Sequence, residues 1–182
     1  RLQGDWSSDV CSSDLGSLIW QLNDVWPGLT WSLIDSQGRE KLAFRTSSRA
    51  ARPRHVVTVP DGPDHPDDAV AVLLNDTDET WIVGVMIERR TMEGRVLASC
   101  ERTCRVPPRG SMTTERLGLL AGVLASAESE FHVVHAGDIR AEWFAGRDKS
   151  LRYDRPRATI ERTGSPARLT AHTVIRDLAP VD

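Results

Sequence analysis

Residues 16–41 read GSLIWQLNDVWPGLTWSLIDSQGREK, and this stretch carries the strongest fold signal in the chain. A short apolar run at 18–19 reaches Trp20 and then gives way to amide and acid side chains within 21–24. Such a run predicts a strand buried in a parallel sheet. Polar side chains that begin where the run ends are typical of the carboxyl end of a (β/α)8 barrel strand, where the active sites of such barrels lie.

Trp20 is the first candidate for a binding residue. An indole ring can cover the flat C–H face of a sugar with a large apolar area. The alternative is a core tryptophan that closes the mouth of the barrel, and the pattern favours neither. Trp26 and Trp31 either line an outer subsite or pack the loop against the barrel rim, and we favour the packing role.

Gln21, Asn23 and Asp24 supply donors and acceptors that suit sugar hydroxyls. For any one of them, hydrogen bonding at the strand end and capping of the following loop are favoured. Three such residues directly after a tryptophan make a binding role more plausible for the group.

The composition limits the classes of partner. The 182 residues carry a net charge of −3, which argues against nucleic acid, because nucleic-acid binders usually present a basic face. No apolar run approaches the roughly 18 residues of a membrane span, so no membrane partner is expected. Phosphate-binding, dinucleotide-binding, zinc-protease and serine-hydrolase motifs are also absent from the sequence. We therefore expect no cofactor.

Cysteine and histidine spacing predicts neither a disulfide nor a metal site. If Cys100 and Cys104 share a strand, roughly 13 Å separates them, whereas a disulfide needs Cα atoms within about 7 Å. Both are expected to be reduced, on one inward face, which is consistent with a reducing compartment. His132 and His135 would point to opposite faces of a strand, so they cannot share an ion.

Residues 1–15 are expected to lie outside the fold. Serine and aspartate dominate them, and residues 5–14, DWSSDVCSSD, match the translation of a sequencing-adapter oligonucleotide. We interpret the segment as such an artefact, or otherwise as a disordered leader. It has no apolar core of the kind that a signal peptide needs.

The remainder predicts one helix followed by short strands. Residues 40–52 have the pattern of a helix with a basic outer face, which Pro53 should end. The arginines near its end could bind anions, but a solvated face is favoured. From residue 54, short strands alternate with turn signals, which predicts a β-sandwich over 54–156. The predicted strands are 56–59, 69–74, 80–90, 95–106, 130–135 and 138–144.

Residues 16–41 resemble the last barrel strand and following loop of β-mannosidases in glycoside hydrolase family 2. The matching residues are Trp20-Gln21-Leu22-Asn23-Asp24, Trp26-Pro27, Trp31-Ser32, Ile34-Asp35, Gly38-Arg39 and Lys41. The resemblance implies a mainly β chain, in which an immunoglobulin-like β-sandwich at 54–156 follows the last strand and helix of a truncated (β/α)8 barrel at 16–53. It further implies that 157–182 begin a terminal β-sandwich.

The resemblance also implies a function for the intact protein: an exo-acting, retaining β-mannosidase that hydrolyses terminal β-mannosides or related oligosaccharides. Both catalytic glutamates of the family lie on earlier strands, so no catalytic residue is expected here, and the fragment itself is expected to be inactive. Trp20 would form the floor of the sugar subsite, with Asn23 and Asp24 as pocket or supporting groups. The family also implies a cis peptide bond between Trp20 and Gln21.

Two alternatives stay open. Exo-β-glucosaminidases carry a similar segment, so the intact enzyme could act on that class of sugar. The chain could instead be a non-enzymatic β-sandwich module that binds carbohydrate or protein, with residues 16–52 as an irregular extension. The position of the Trp-rich segment outside the sandwich argues against the second alternative.

Overall fold

The structure, a computed structural model, describes residues 19–153, 158–161 and 168–171. The chain divides between Arg52 and Pro53 into two compact units. The predictions for residues 1–15, for the start of the barrel strand at 16–18 and for most of 157–182 lie outside the described residues.

The first unit contains little regular structure in its described part, residues 19–52. Asn23 and Ile34 form one isolated parallel bridge, and Ile34 and Glu40 form an antiparallel one. The prediction of a buried parallel strand over 16–24 is therefore wrong for its described part, where Ile19 is 57% exposed. A strand buried in a parallel sheet needs neighbours along its length, and the described residues supply a single bridge.

The predicted helix is confirmed as α1, Leu42–Ala50. It begins after Lys41, and the Ala51 amide donates to Ser47 O at 2.9 Å before Pro53 is reached. Its side chains are exposed or half-buried, in agreement with a solvated, basic face.

The second unit is built from antiparallel sheets, which confirms the prediction of a mainly β fold with a β-sandwich. One sheet has the order β1-β2-β5, and its strands are β1 (Arg54–Pro60), β2 (Ala69–Asn75) and β5 (Gly110–Arg116). The other has the order β4-β3-β6-β7, and its strands are β3 (Trp81–Thr91), β4 (Val96–Val106), β6 (Glu130–Ala136) and β7 (Ile139–Trp143). The shorter elements are α2 (Leu117–Ala121), a 3-10 turn (Asp148–Ser150) and the pair β8 (Ala158–Glu161) and β9 (Arg168–Ala171).

The core lies between the two sheets, and α2 contributes buried side chains to it. Leu73 from β2, Ile87 from β3 and Leu117 from α2 are fully buried in one cluster with residues of β1, β4 and β6. The alternation predicted for 81–87 is confirmed, because the odd-numbered side chains face this core while Ile82 is 61% exposed. Apolar burial of this kind is the main favourable term in folding.

The strand β5 was missed by the sequence patterns. Its residues, GSMTTER, include one large apolar side chain, Met112, and its burial alternates between intermediate and exposed. Because β5 forms the end of its sheet beside β2, it does not need the apolar alternation of a central strand.

Candidate functional site

The predicted site residues lie in different environments within the first unit. Trp20 is 79% exposed and Asn23 is also exposed, whereas Asp24 is only 5% exposed. The peptide bond between Trp20 and Gln21 is cis, as predicted. The structure thus places the indole at the surface and the carboxylate in the interior of this segment.

The Asp24 carboxylate is the centre of a polar network. Lys41 Nζ lies 2.8 Å from Asp24 Oδ2 and donates to Ser32 Oγ at 2.7 Å. The Thr30 hydroxyl donates to Asp24 Oδ1, and Ser32 Oγ donates to Ile34 O at 2.9 Å. Both carboxylate oxygens are therefore bound, as a buried charge requires.

Backbone hydrogen bonds close the base of the same loop. Asp24 N donates to Ile34 O and Ile34 N donates to Leu22 O, both at 2.9 Å. Lys41 N then donates to Leu33 O at 2.9 Å, which brings the start of α1 to the same point. The 25–31 loop, defined by those residues, is consequently tied at its base by main-chain bonds and by the Asp24 network.

The pKa of the Asp24 carboxyl is held below its ordinary value. The hydrogen bond from Lys41 is the largest cause, followed by the Thr30 hydroxyl, and both outweigh the opposing effect of desolvation. The Asp24 side chain is thus a carboxylate at neutral pH, and both of its oxygens are bound within the network. The resemblance implied that Asp24 is either a pocket group or a supporting group, and this arrangement suits a supporting group.

The side chains that face outwards from the 25–31 loop and its base are mainly apolar. Trp20, Trp26 and Trp31 are each at least 67% exposed, and Leu29 is fully exposed. Both Trp26 and Trp31 are open to solvent in the described residues, so their packing against a barrel rim stays a prediction. Exposed indoles beside an anchored loop can bind a flat, partly apolar ligand such as a sugar ring.

The histidines and cysteines considered in the sequence analysis form no metal site and no disulfide among the described residues. His132 is buried and His135 half-buried, on opposite faces of β6. Within the described ranges, no group of three or more His, Cys, Asp or Glu residues could hold a metal ion. Cys100 and Cys104 are both free, and burial raises the pKa of the Cys104 thiol. No helix in the described part of the chain is long and apolar enough to cross a bilayer.

Three residues of the network were not predicted as site residues: Thr30, Ser32 and Lys41, of which Ser32 and Lys41 were named only as residues that carry the resemblance. A signal for the lysine did exist, because an acid that is buried needs a cation, and Arg39 and Lys41 are the first basic residues after Asp24. Which of the two basic residues pairs with Asp24 depends on the fold. Arg39 instead pairs with Asp35 at 2.7 Å.

Comparison with known proteins gives partial matches. No family model matches the chain. "Beta-mannosidase B" of Thermothelomyces thermophilus is 33% identical over 81 residues, which are 43% of this chain and 10% of that protein. Its counterpart in Emericella nidulans is 47% identical over 38 residues, which are 21% of this chain and 4% of that protein.

Among solved structures, a β-D-mannosidase from Dictyoglomus thermophilum aligns with 87% of this chain and 20% of its own chain. The TM-score is 0.69 at 21% identity, so this likeness concerns the fold. The chain resembles the β-mannosidases. It matches no more than a tenth of the length of the two curated β-mannosidases and a fifth of the solved β-mannosidase. The predicted resemblance is confirmed.

Proposed function

We propose that the chain is part of a retaining, exo-acting β-mannosidase of glycoside hydrolase family 2, in which residues 16–53 form the end of the catalytic barrel. The names of the curated relatives and the similarity of fold support this proposal. Since the chain matches only a small share of each relative, the activity is proposed for a longer protein that contains it.

The observation that carries the proposal is the exposed Trp20 indole beside a loop whose base is anchored by the Asp24–Lys41 ion pair. An indole offers up to about 250 Å² of apolar area, which is large enough to cover the face of a sugar ring. In the proposed enzyme it forms the floor of the sugar subsite. Asn23, exposed three residues further along, supplies polar contact, and Asp24 holds the loop in place.

The carboxyl groups in the described part of the first unit, residues 19–52, do not suit the catalytic roles. A retaining glycosidase needs a nucleophile and an acid/base about 5–5.5 Å apart, and the pKa of the acid must be raised. The pKa of Asp24 is lowered by Lys41, and that of Asp35 is lowered chiefly by the Arg39 amide. Glu40 lies at the surface, 3.7 Å from Arg45. We therefore place both catalytic carboxyls in a part of the enzyme outside this chain.

The substrate proposed for the longer protein is a terminal β-mannoside or a related oligosaccharide. The proposal requires no cofactor, because retaining hydrolysis uses two carboxyl groups and water. Both the sugar specificity and the exo mode of action follow from the resemblance.

The test compares two proteins for hydrolysis of 4-nitrophenyl β-mannoside and 4-nitrophenyl β-glucosaminide. The 182-residue chain should hydrolyse neither substrate. The longer protein encoded by the same reading frame should hydrolyse the mannoside preferentially. Turnover by the 182-residue chain that is abolished by Asp24→Asn or Glu40→Gln would overturn the placement of the catalytic groups.

A further inference from the structure

A second polar cluster lies in the β-sandwich, where sheet side chains hold the loop that follows α2. This 122–125 loop, defined by those residues, begins at Gly122, which has a φ of 87°. His132, on β6, has its Nε2 2.9 Å from Gly122 O. Because a carbonyl can only accept, Nε2 carries the proton and donates.

Two further side chains hold the same loop. Arg89, from β3, donates through its guanidinium to Val123 O, and Glu130 Oε2 accepts from the Ala125 amide at 2.9 Å. Arg89 also lies 3.8 Å from Glu130. Arg89 is paired with His132 across the two strands, so their side chains are neighbours on the core face.

Protonation of His132 is unfavourable in this arrangement. The residue is 1% exposed, and Nδ1 has no hydrogen-bond partner among the described residues. In the neutral ring Nδ1 is a lone pair. In the imidazolium it becomes a buried N–H without an acceptor, and the ring adds a positive charge next to Arg89. An unpaired buried charge of this kind is costly.

The charges around the ring only partly compensate. Burial is the largest influence and lowers the pKa of His132, and the positive charge of Arg89 acts in the same direction. The Gly122 carbonyl, together with Asp68 from the β1–β2 loop and Glu130 on β6, raises the pKa but by less. The ring is therefore neutral in the closed arrangement.

We propose that the 122–125 loop is a pH-sensitive switch, which is closed on the sheet while His132 is neutral and opens when His132 is protonated. In the open loop the ring would regain an ordinary pKa near 6.5. The pKa of His132 is lower in the closed loop than in the open loop. The closed loop is therefore fully stable above about pH 6.5 and loses stability as the pH falls below that value. One proton taken up per opening changes the opening equilibrium about tenfold for each pH unit.

The opening is confined to the loop. The preceding helix α2 stays attached, because the Gly118 amide donates to Asp68 Oδ1 at 3.0 Å and Leu117 is buried in the core. Val123 is already 70% exposed and Ala125 is also exposed, so the apolar burial that opposes the release comes mainly from the half-buried Leu124. The switch would thus change the accessibility of the loop without unfolding the sandwich.

Amide hydrogen exchange in the full 182-residue chain tests the proposal. After correction for the intrinsic pH dependence of exchange, protection of the Ala125 amide should fall about tenfold for each pH unit below 6.5, while amides of β3 keep their protection. His132→Gln places an amide donor near Gly122 O without a titrating ring, so Ala125 protection should become independent of pH. His135→Gln, on the opposite face of β6, is the control and should keep the wild-type pH dependence.

Equal loss of Ala125 protection in His132→Gln and in the wild type, or no loss in the wild type between pH 7.5 and 5.5, would overturn the proposal. If His132→Gln does not fold, ring ¹⁵N chemical shifts of His132 in the wild type decide instead. The switch requires the ring to become protonated over the pH range in which Ala125 loses protection. A ring that stays neutral while the loop opens contradicts it.

Discussion

Lys41 Nζ lies 2.8 Å from Asp24 Oδ2, although the two residues are 17 positions apart in the chain. The pair joins the start of α1 to the segment that carries the cis peptide bond and the exposed tryptophans. This ion pair fixes the position of the 25–31 loop relative to the start of α1, in a region with little regular structure. The geometry of the proposed sugar subsite therefore depends on this ion pair.

Loss of the cation should loosen the 25–31 loop. Lys41→Met keeps a long side chain but leaves the Asp24 carboxylate without its strongest partner, so protection of the Asp24 and Ile34 amides should fall in hydrogen exchange. The double variant Lys41→Met/Asp24→Asn should be no worse than Lys41→Met alone, because it leaves no unpaired charge. Arg45→Met, in an exposed pair at 3.7 Å, is the matched control and should change little.

Acidification should release the same loop. Because the pKa of Asp24 is lowered in the folded chain, its stabilising effect is complete above the ordinary carboxyl pKa of about 4 and is lost as the pH falls below it. The ¹³Cγ shift of Asp24 should titrate below that value, and Lys41→Met should move the midpoint upwards. An Asp24 midpoint that is the same in both proteins would contradict the network.

Neighbouring leucines on β2 should respond very differently to truncation. Leu73 is fully buried, so Leu73→Ala should lower the free energy of unfolding by about 2–5 kcal/mol. Leu74 points to the other face and is 39% exposed, so Leu74→Ala should cost less than about 1 kcal/mol. Urea denaturation of the two variants measures the difference, and similar losses would contradict the orientation of β2.

Asn75 should be a stability determinant of the sandwich. Its Nδ2 donates to Glu79 O at 2.8 Å and to Pro107 O at 2.9 Å, and its Oδ1 accepts from Thr77. Asn75 is buried, and Asn75→Leu removes all of these hydrogen bonds at once, so it should cost about 1–3 kcal/mol in urea denaturation. Thr77→Val removes only the hydroxyl bonds and should cost less.

The sequence predicted those parts of the structure that depend on local pattern. The period-two alternation at 81–87 marked β3 and its buried face, and Pro53 marked the end of the helix. The strand β5 was not predicted, because a strand at the edge of its sheet buries too little apolar surface to give GSMTTER an apolar alternation. The expected barrel strand failed in its described part, 19–24, because a strand depends on neighbours that the local sequence cannot supply.

The site was predictable in its residue types but not in its arrangement. The pattern singled out Trp20 and Asp24 together, whereas the structure exposes the first and buries the second. Nothing in the spacing of Asp24 and Lys41 indicates that they meet, because contacts between residues 17 positions apart are set by the chain path. The loop contacts of His132 likewise depend on where α2 ends.

We propose that Trp20 forms the floor of a β-mannoside subsite, and kcat/KM for 4-nitrophenyl β-mannoside in the longer protein measures that role. Trp20→Ala should lower kcat/KM about ten- to hundredfold, equivalent to about 1.4–2.7 kcal/mol of transition-state binding. Leu29→Ala, an exposed apolar control in the neighbouring 25–31 loop, should leave kcat/KM unchanged. An unchanged kcat/KM in a folded Trp20→Ala variant would show that Trp20 does not form the floor of the subsite.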